Sequence, residues 1–284
     1  MATAKRQLQY VLIPHPDDEL QAWSMVEGAE DDHPVFILLT HGEATGMGDG
    51  HGLEVARGER IPQPQPFHGP HSLFLHAQRL DSWHAFLDAM ADVDPTLDRP
   101  PFHGHLVGAD APGGRPAGFD LFIGERSSRV VFDLGDGGLD QDAVAWALRT
   151  VRAQVRPLLP VQDELGAVGA AYYNTLPGAP RYDHVDHHAV HLALWNVDFG
   201  LPGSQWCRTP HIDPDVERTG GRTEAMSPET FAAATAIGPN GDAVGHYQRI
   251  YGWLAFDPTG SFPAGDRPTD DGAVSRYQSF WRRF

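Results

Sequence analysis

Cysteine and lysine are almost absent from this 284-residue chain. Cys207 stands alone, which excludes an intrachain disulfide, a multi-cysteine zinc site and an iron–sulfur cluster held by this chain by itself. Lys5 is the sole lysine and follows no glycine loop, so a P-loop and a pyridoxal imine are both out. No run approaches the roughly 18 consecutive apolar residues of a membrane span. Met1 to Gln9 carry no apolar run ahead of a cleavage site, so no signal peptide is read and the cytoplasm is the expected compartment. Positive charge is scarce as well, with 21 basic against 38 acidic residues and a net charge of −17. Such a field repels phosphate backbones and anionic lipid, and Arg282-Arg283 is too short a basic patch to reverse it. Nucleic-acid and integral membrane partners are not expected.

Enough remains to build a sizeable core: 41% of residues are hydrophobic and 10% aromatic. The 31 glycines and 24 prolines predict long loops without reaching low-complexity levels. With one cysteine, any metal must be held mainly by imidazole and carboxylate, and 16 histidines supply the first kind.

Leu8 to Pro14 reads as a short buried strand, broken at Pro14-His15-Pro16-Asp17-Asp18-Glu19. Leu20, Trp23 and Val26 follow at helical spacing as far as Gly28, with Asp17 and Asp18 suited to the helix start. Val35 to Thr40 is a second buried strand, and strand–helix–strand at this spacing predicts a parallel βαβ unit. Residues 44–72 and 94–120 read as long Pro/Gly-rich loops that could form a lid. Helices are predicted near Leu75–Met90, Leu139–Val155, His187–Trp195 and Pro228–Ala236, strands at Asp120–Gly124, Arg129–Leu134 and Ala167–Asn174, and a turn at Asn240-Gly241. The expected fold is α/β, three-layer and Rossmann-like, with a mostly parallel sheet and helices on both faces. One domain is expected over 1–284, with an α/β core at 1–197 and a less regular portion at 198–284 packed on it.

Two segments carry chemistry. His15 to Glu19 lies where a strand hands over to a helix, the crevice where open α/β sheets bind ligands. His15 and Asp18 are three apart and can face one point, while Asp17 projects elsewhere. Tyr182-Asp-His-Val-Asp-His-His188 occupies the same kind of position, so a ligand from each segment can converge at one rim. Two imidazoles and a carboxylate with an open position suit a catalytic metal. Each segment alone also reads more plainly, as a helix cap or a solvated helix start.

The sequence resembles the PIG-L or LmbE-like superfamily of zinc-dependent N-acetyl-sugar deacetylases. Residues 15–19 match its His-Pro-Asp-Asp-Glu run, and His184-Val-Asp-His187 resembles its His-Pro-Asp-His element with Val in place of Pro. Thr40-His-Gly42-Glu43 resembles its Thr-x-Gly-Glu, and Asp136-Gly-Gly-Leu139 its Asp-Gly turn. The likeness covers about residues 8–195. It departs at Arg79, where the family often has Arg-x-x-Glu and this chain has Ser82, and at His246-Tyr-Gln248, a faint version of the family's His-x-Ser-Gln.

The resemblance implies one Zn2+ per chain, with Fe2+ as the alternative ion, held by His15, Asp18 and His187. It makes Asp17 the general base and gives the Tyr182 hydroxyl a role at the oxyanion. His184, oriented by Asp186, is the expected oxyanion donor and the acid that protonates the leaving amine. Arg79 and His246 are candidate substrate contacts, against plainer readings as an exposed helix arginine and a surface histidine. The expected reaction removes acetate from an N-acetylglucosamine-type small molecule, a thiol precursor or a natural-product glycoside. A thiol-conjugate amidase of the same superfamily is the nearest rival. The His15-Pro-Asp17 spacing also fits a non-haem Fe(II) oxygenase triad, and a non-catalytic sugar-binding protein is the remaining alternative. His103-Gly-His105 reads as a solvent-facing loop, and Gly46–Gly52 as part of a flexible lid, with no dinucleotide fingerprint.

Overall fold

The first strand, β1 (Gln7–Ile13), sends alternate side chains to two apolar cores. Leu8, Tyr10 and Leu12 enter one, Val11 and Ile13 the other, and each is fully buried. A strand buried on both faces reads as a continuous apolar run, which is why it is legible without alternation. The computed structural model describes residues 6–44, 73–113, 117–177, 181–213, 218, 220–239, 244–251, 264–270 and 272–283. Gly46–Gly52, Asn240-Gly241 and nearly all of the loop expected at 44–72 lie outside them.

β2 (Asp32–Leu38) runs parallel to β1, and between them Glu19–Met25 forms a tight 3-10 segment instead of the longer helix expected up to Gly28. Next come helix α1 (Leu73–Ala91) and strands β3 (Phe102–Gly108), β4 (Ala117–Ile123) and β5 (Ser128–Phe132). Helix α2 (Gln141–Thr150) opens into a π turn at Val151–Val155 and precedes β6 (Glu164–Gly169). Helix α3 (Val185–Asn196) and β7 (Gln205–Thr209) follow. The remaining elements are β8 (Arg222–Ala225), α4 (Pro228–Thr235), α5 (His246–Tyr251) and β9 (Tyr277–Arg283).

Among the described residues, nine strands form one mixed sheet in the order β3-β4-β5-β2-β1-β6-β7-β9-β8. Its centre, β5-β2-β1-β6-β7, is parallel. Both wings are antiparallel, which corrects the expectation of a mostly parallel sheet. The cause is local on one side: β4 and β5 are joined by residues 124–127 alone, far too short for the crossover that parallel neighbours require. Residues 94–120, expected as a loop, hold β3 and the start of β4. His103 and His105 sit exposed on that edge strand, with His105 Nδ1 2.9 Å from Asp120 Oδ1. The portion expected to be less regular, 198–284, contributes β7, β9 and β8 to the same sheet.

Val144 and Leu148 of α2, with Val190 and Leu194 of α3, fill the core that takes Leu8, Tyr10 and Leu12. Trp23, Trp83, Phe86, Tyr247 and Tyr251 fill the core on the opposite face. The carboxyl ends of β1 and β2 stay together beyond the strands through Leu39 N–H to Ile13 O and Thr40 N–H to Pro14 O. No helix among the described residues is long and apolar enough to cross a membrane.

Candidate metal centre

β1 delivers His15 to the rim of the sheet, and Asp18 turns back onto it one turn later. Asp18 Oδ2 lies 3.0 Å from His15 Nδ1 and 3.1 Å from His187 Nε2. The three are 5%, 2% and 0% exposed. Asp18 thus makes no side-chain cap to the segment that follows, as its sequence position alone would suggest. Its second oxygen accepts from Gln21 Nε2 at 2.6 Å.

The outer nitrogens of both imidazoles face obligate acceptors. His187 Nδ1 is 2.7 Å from the Tyr172 carbonyl, and His15 Nε2 is 3.0 Å from carboxylate oxygens of Asp186 and Asp136. Those partners place the ring protons on the outer atoms, which turns the inner lone pairs toward Asp18. Three electron-rich atoms therefore converge with no donor between neutral rings, and buried His187 Nε2 has no hydrogen-bond partner. Burial works against a charge on His15, yet Asp136, Asp18 and Asp186 outweigh it and hold its pKa well above the usual imidazole range. Burial pushes Asp18 up, but His187 and His15 more than reverse this and hold its carboxyl low. The centre favours positive charge. Zinc bonds of about 2.0–2.1 Å in a tetrahedron separate ligand atoms by about 3.3 Å, close to the spacings seen. His15, Asp18 and His187 can hold a metal ion, as can an overlapping group of His15, Asp136, His184 and Asp186.

Asp17 stands outside both groups, as expected for a residue that projects elsewhere. Its φ is +107°, a backbone conformation costly for any residue but glycine. Several contacts hold it there. Its N–H donates to Glu19 Oε2 at 3.1 Å and its carbonyl accepts from the Tyr247 hydroxyl at 2.7 Å. Glu19 accepts from the Tyr251 hydroxyl as well, at 2.7 Å, and burial pushes its carboxyl up to about 8. Burial likewise raises Asp17 to about 7, with Arg79 opposing and Asp18 adding to the rise.

Arg79 is buried, not the exposed helix arginine of the plainer reading. Its Nη2 donates to Pro16 O at 2.7 Å and lies 3.4 Å from Asp17 Oδ2. Gly42, at φ +66°, is a glycine because a Cβ there would strike the Arg79 guanidinium. His184 caps α3, its Nδ1 accepting from Asp186 N–H at 3.3 Å, with its ring 4.5 Å from that of His15. Burial and the neighbouring His15 and His187 lower its pKa. Asp186 thus meets His184 through its backbone N–H, and its carboxylate turns elsewhere. It accepts from Gly137 N–H at 2.8 Å and Leu139 N–H at 2.9 Å and faces His15, so it positions the metal-side imidazole. Tyr182 packs its ring edge-on against His187, centroids 5.0 Å apart, with burial and the nearby Asp18 raising its hydroxyl well above the ordinary value.

Of the C-terminal helix α5 it is Tyr247, not His246, that reaches Asp17. Asp136, given no role beyond a turn, bridges the His15 ring to Ala44 N–H, the latter at 2.6 Å. Burial would raise it, but the bond to His15 dominates and keeps its carboxyl low. The resemblance of Asp136 to Leu139 to a family turn was the one sequence signal for it.

No protein-family model matches this chain, and no curated protein or solved structure is significantly similar to it.

Proposed function

We propose that this chain is a metal-dependent amide hydrolase of the PIG-L or LmbE-like kind, removing acetate from an N-acetylglucosamine-type small molecule. The observation that carries the reading is the convergence of His15, Asp18 and His187 beside a strained Asp17 whose carboxyl is poised near neutrality. On this reading the five parallel strands with helices on both faces are the Rossmann-like core. A zinc ion held by the three ligands supplies an acidified water and a positive charge for the acyl oxygen.

Asp17 then takes the proton of the attacking water, a role that a base with pKa near the working pH performs best. Arg79 keeps part of the Asp17 population ionised in a buried setting. His184 binds the developing oxyanion as a neutral donor: Asp186 N–H occupies Nδ1, so the ring proton sits on Nε2. Its lowered pKa disfavours the cationic form, the stronger acid toward the leaving amine. Proton transfer to that amine falls to Asp17, which already carries the proton from water. Tyr182 supports the same oxyanion. The balance is amide plus water giving acetate and free amine.

A cavity of about 290 Å³ beside α3, lined in part by Tyr173, His188, Trp195 and Trp281, shares none of its lining with the metal centre; on this reading its aromatic faces take the far end of a substrate long enough to reach both. Its size is near the lower end for small-molecule sites. The oxygenase alternative fits less well, because the carboxylate aimed at the imidazoles belongs to Asp18 and not to Asp17 of the His-x-Asp spacing. The test is acetate release from a panel of N-acetylglucosamine conjugates by zinc-loaded protein, against matched thiol-conjugate amides. Acetate released only from the sugar amides supports the reading. Cleavage confined to the thiol conjugates transfers it to the amidase, and binding without hydrolysis overturns it.

A further inference from the structure

A second cluster of ligand-type side chains lies on the same rim. His41 follows β2, Asp133 follows β5, and His76 stands in the first turn of α1. One potential ligand atom from each falls within 4.8 Å of the others. Nothing in the metal centre at His15 uses any of them.

The placement is held by backbone. Leu134 N–H donates to Leu39 O at 3.1 Å, so the chains leaving β5 and β2 stay side by side past the strand ends. Thr40 ties to Pro14 O through its hydroxyl at 2.9 Å and accepts from Gly42 N–H at 3.2 Å. His41 is therefore fixed from both sides. Its Nδ1 and the Nε2 of His76 face one another, with the rings edge to face and their centroids 3.9 Å apart.

A shared proton between the two rings satisfies only part of this. His41 is 7% exposed and its Nε2 has no hydrogen-bond partner. Asp133, exposed at the surface, closes the group on the solvent side. Two imidazoles and a carboxylate are the donor set of a three-ligand zinc-type site, which leaves a coordination position for solvent or a ligand oxygen.

We propose that His41, His76 and Asp133 form a second binding site for a zinc-class divalent cation, separate from the centre at His15. The site does not depend on the hydrolase reading.

Chelator-stripped full-length protein, equilibrated with Zn2+ and analysed for metal per chain, tests it. Two equivalents are expected for the unaltered protein, one for His76→Ala and one for His187→Ala. Asp133→Asn, an exposed and conservative change, weakens the affected equivalent at least about tenfold. Thermal midpoints of the stripped variants check that each still folds, and Co2+ substitution reports each site by its visible absorption. A single equivalent lost in His76→Ala but kept in His187→Ala supports this site and removes the first. Unchanged zinc content and affinity in both His76→Ala and Asp133→Asn, or no zinc in His187→Ala, overturns the proposal.

Discussion

His15 and Asp186 meet at 3.0 Å although 171 residues separate them in the chain. Asp186 also accepts from Gly137 and Leu139, so one carboxylate ties the end of β1, the turn after β5 and the start of α3 into a single unit. Outer partners of this kind set the orientation and basicity of a metal-binding imidazole.

Asp186→Asn is accordingly expected to lower zinc affinity by about 10–100-fold while leaving the helix and sheet content intact. Competition with a chromophoric chelator measures the first, and far-ultraviolet circular dichroism the second.

Asp17→Asn separates base from ligand. Metal content should stay at the unaltered level while acetate release falls by about 10²–10⁴. Full turnover in this variant would reassign the base.

Arg79 lowers the Asp17 pKa against the effect of burial. Removing that cation raises the pKa, so Arg79→Met should move the acid limb of the kcat/KM profile to higher pH. A limb that stays in place means Arg79 acts only as packing.

Trp195 lines the aromatic cavity, is 46% exposed and packs edge-on against Trp281, centroids 5.0 Å apart. Trp195→Ala should raise KM about tenfold with little change in kcat, the pattern of lost uniform binding. A fall in kcat alone would place the acceptor elsewhere.

Acid stability has a readable sign. Burial holds His33 and His84 down to about 4, whereas an unfolded chain protonates them near 6.5. The unfolded state therefore takes up protons first as pH falls, and folding stability declines between about pH 6.5 and 4. Fully buried His33 contributes on the order of 3 kcal/mol to that decline. Urea midpoints across this range should drop, and His33→Gln should flatten the slope.

The central strands and the convergence of His15, Asp18 and His187 were legible because burial on both faces and residue spacing leave local traces. β3 and the start of β4 were not. Phe102-His-Gly-His-Leu-Val-Gly108 is an edge strand with mostly exposed side chains and glycines at 104 and 108, so its pattern resembles a loop. Arg79 and Tyr247 were missed as supports of Asp17 for another reason. Each reaches it from a distant element, Arg79 at the carboxylate and Tyr247 at the carbonyl, and no spacing in the sequence encodes that meeting. Asp186 was placed beside His184, which its N–H does meet, but that proximity in the chain hides the reach of its carboxylate to His15.

On the proposed reading, the positive φ of Asp17 sets durability against turnover at a single Cα. Glycine relaxes such a backbone by about 1–3 kcal/mol, so Asp17→Gly should melt later than the native chain while hydrolysing nothing. Any search for hardier versions of this protein by heat alone would drift toward that silent form, and would need a screen for released acetate to hold it back.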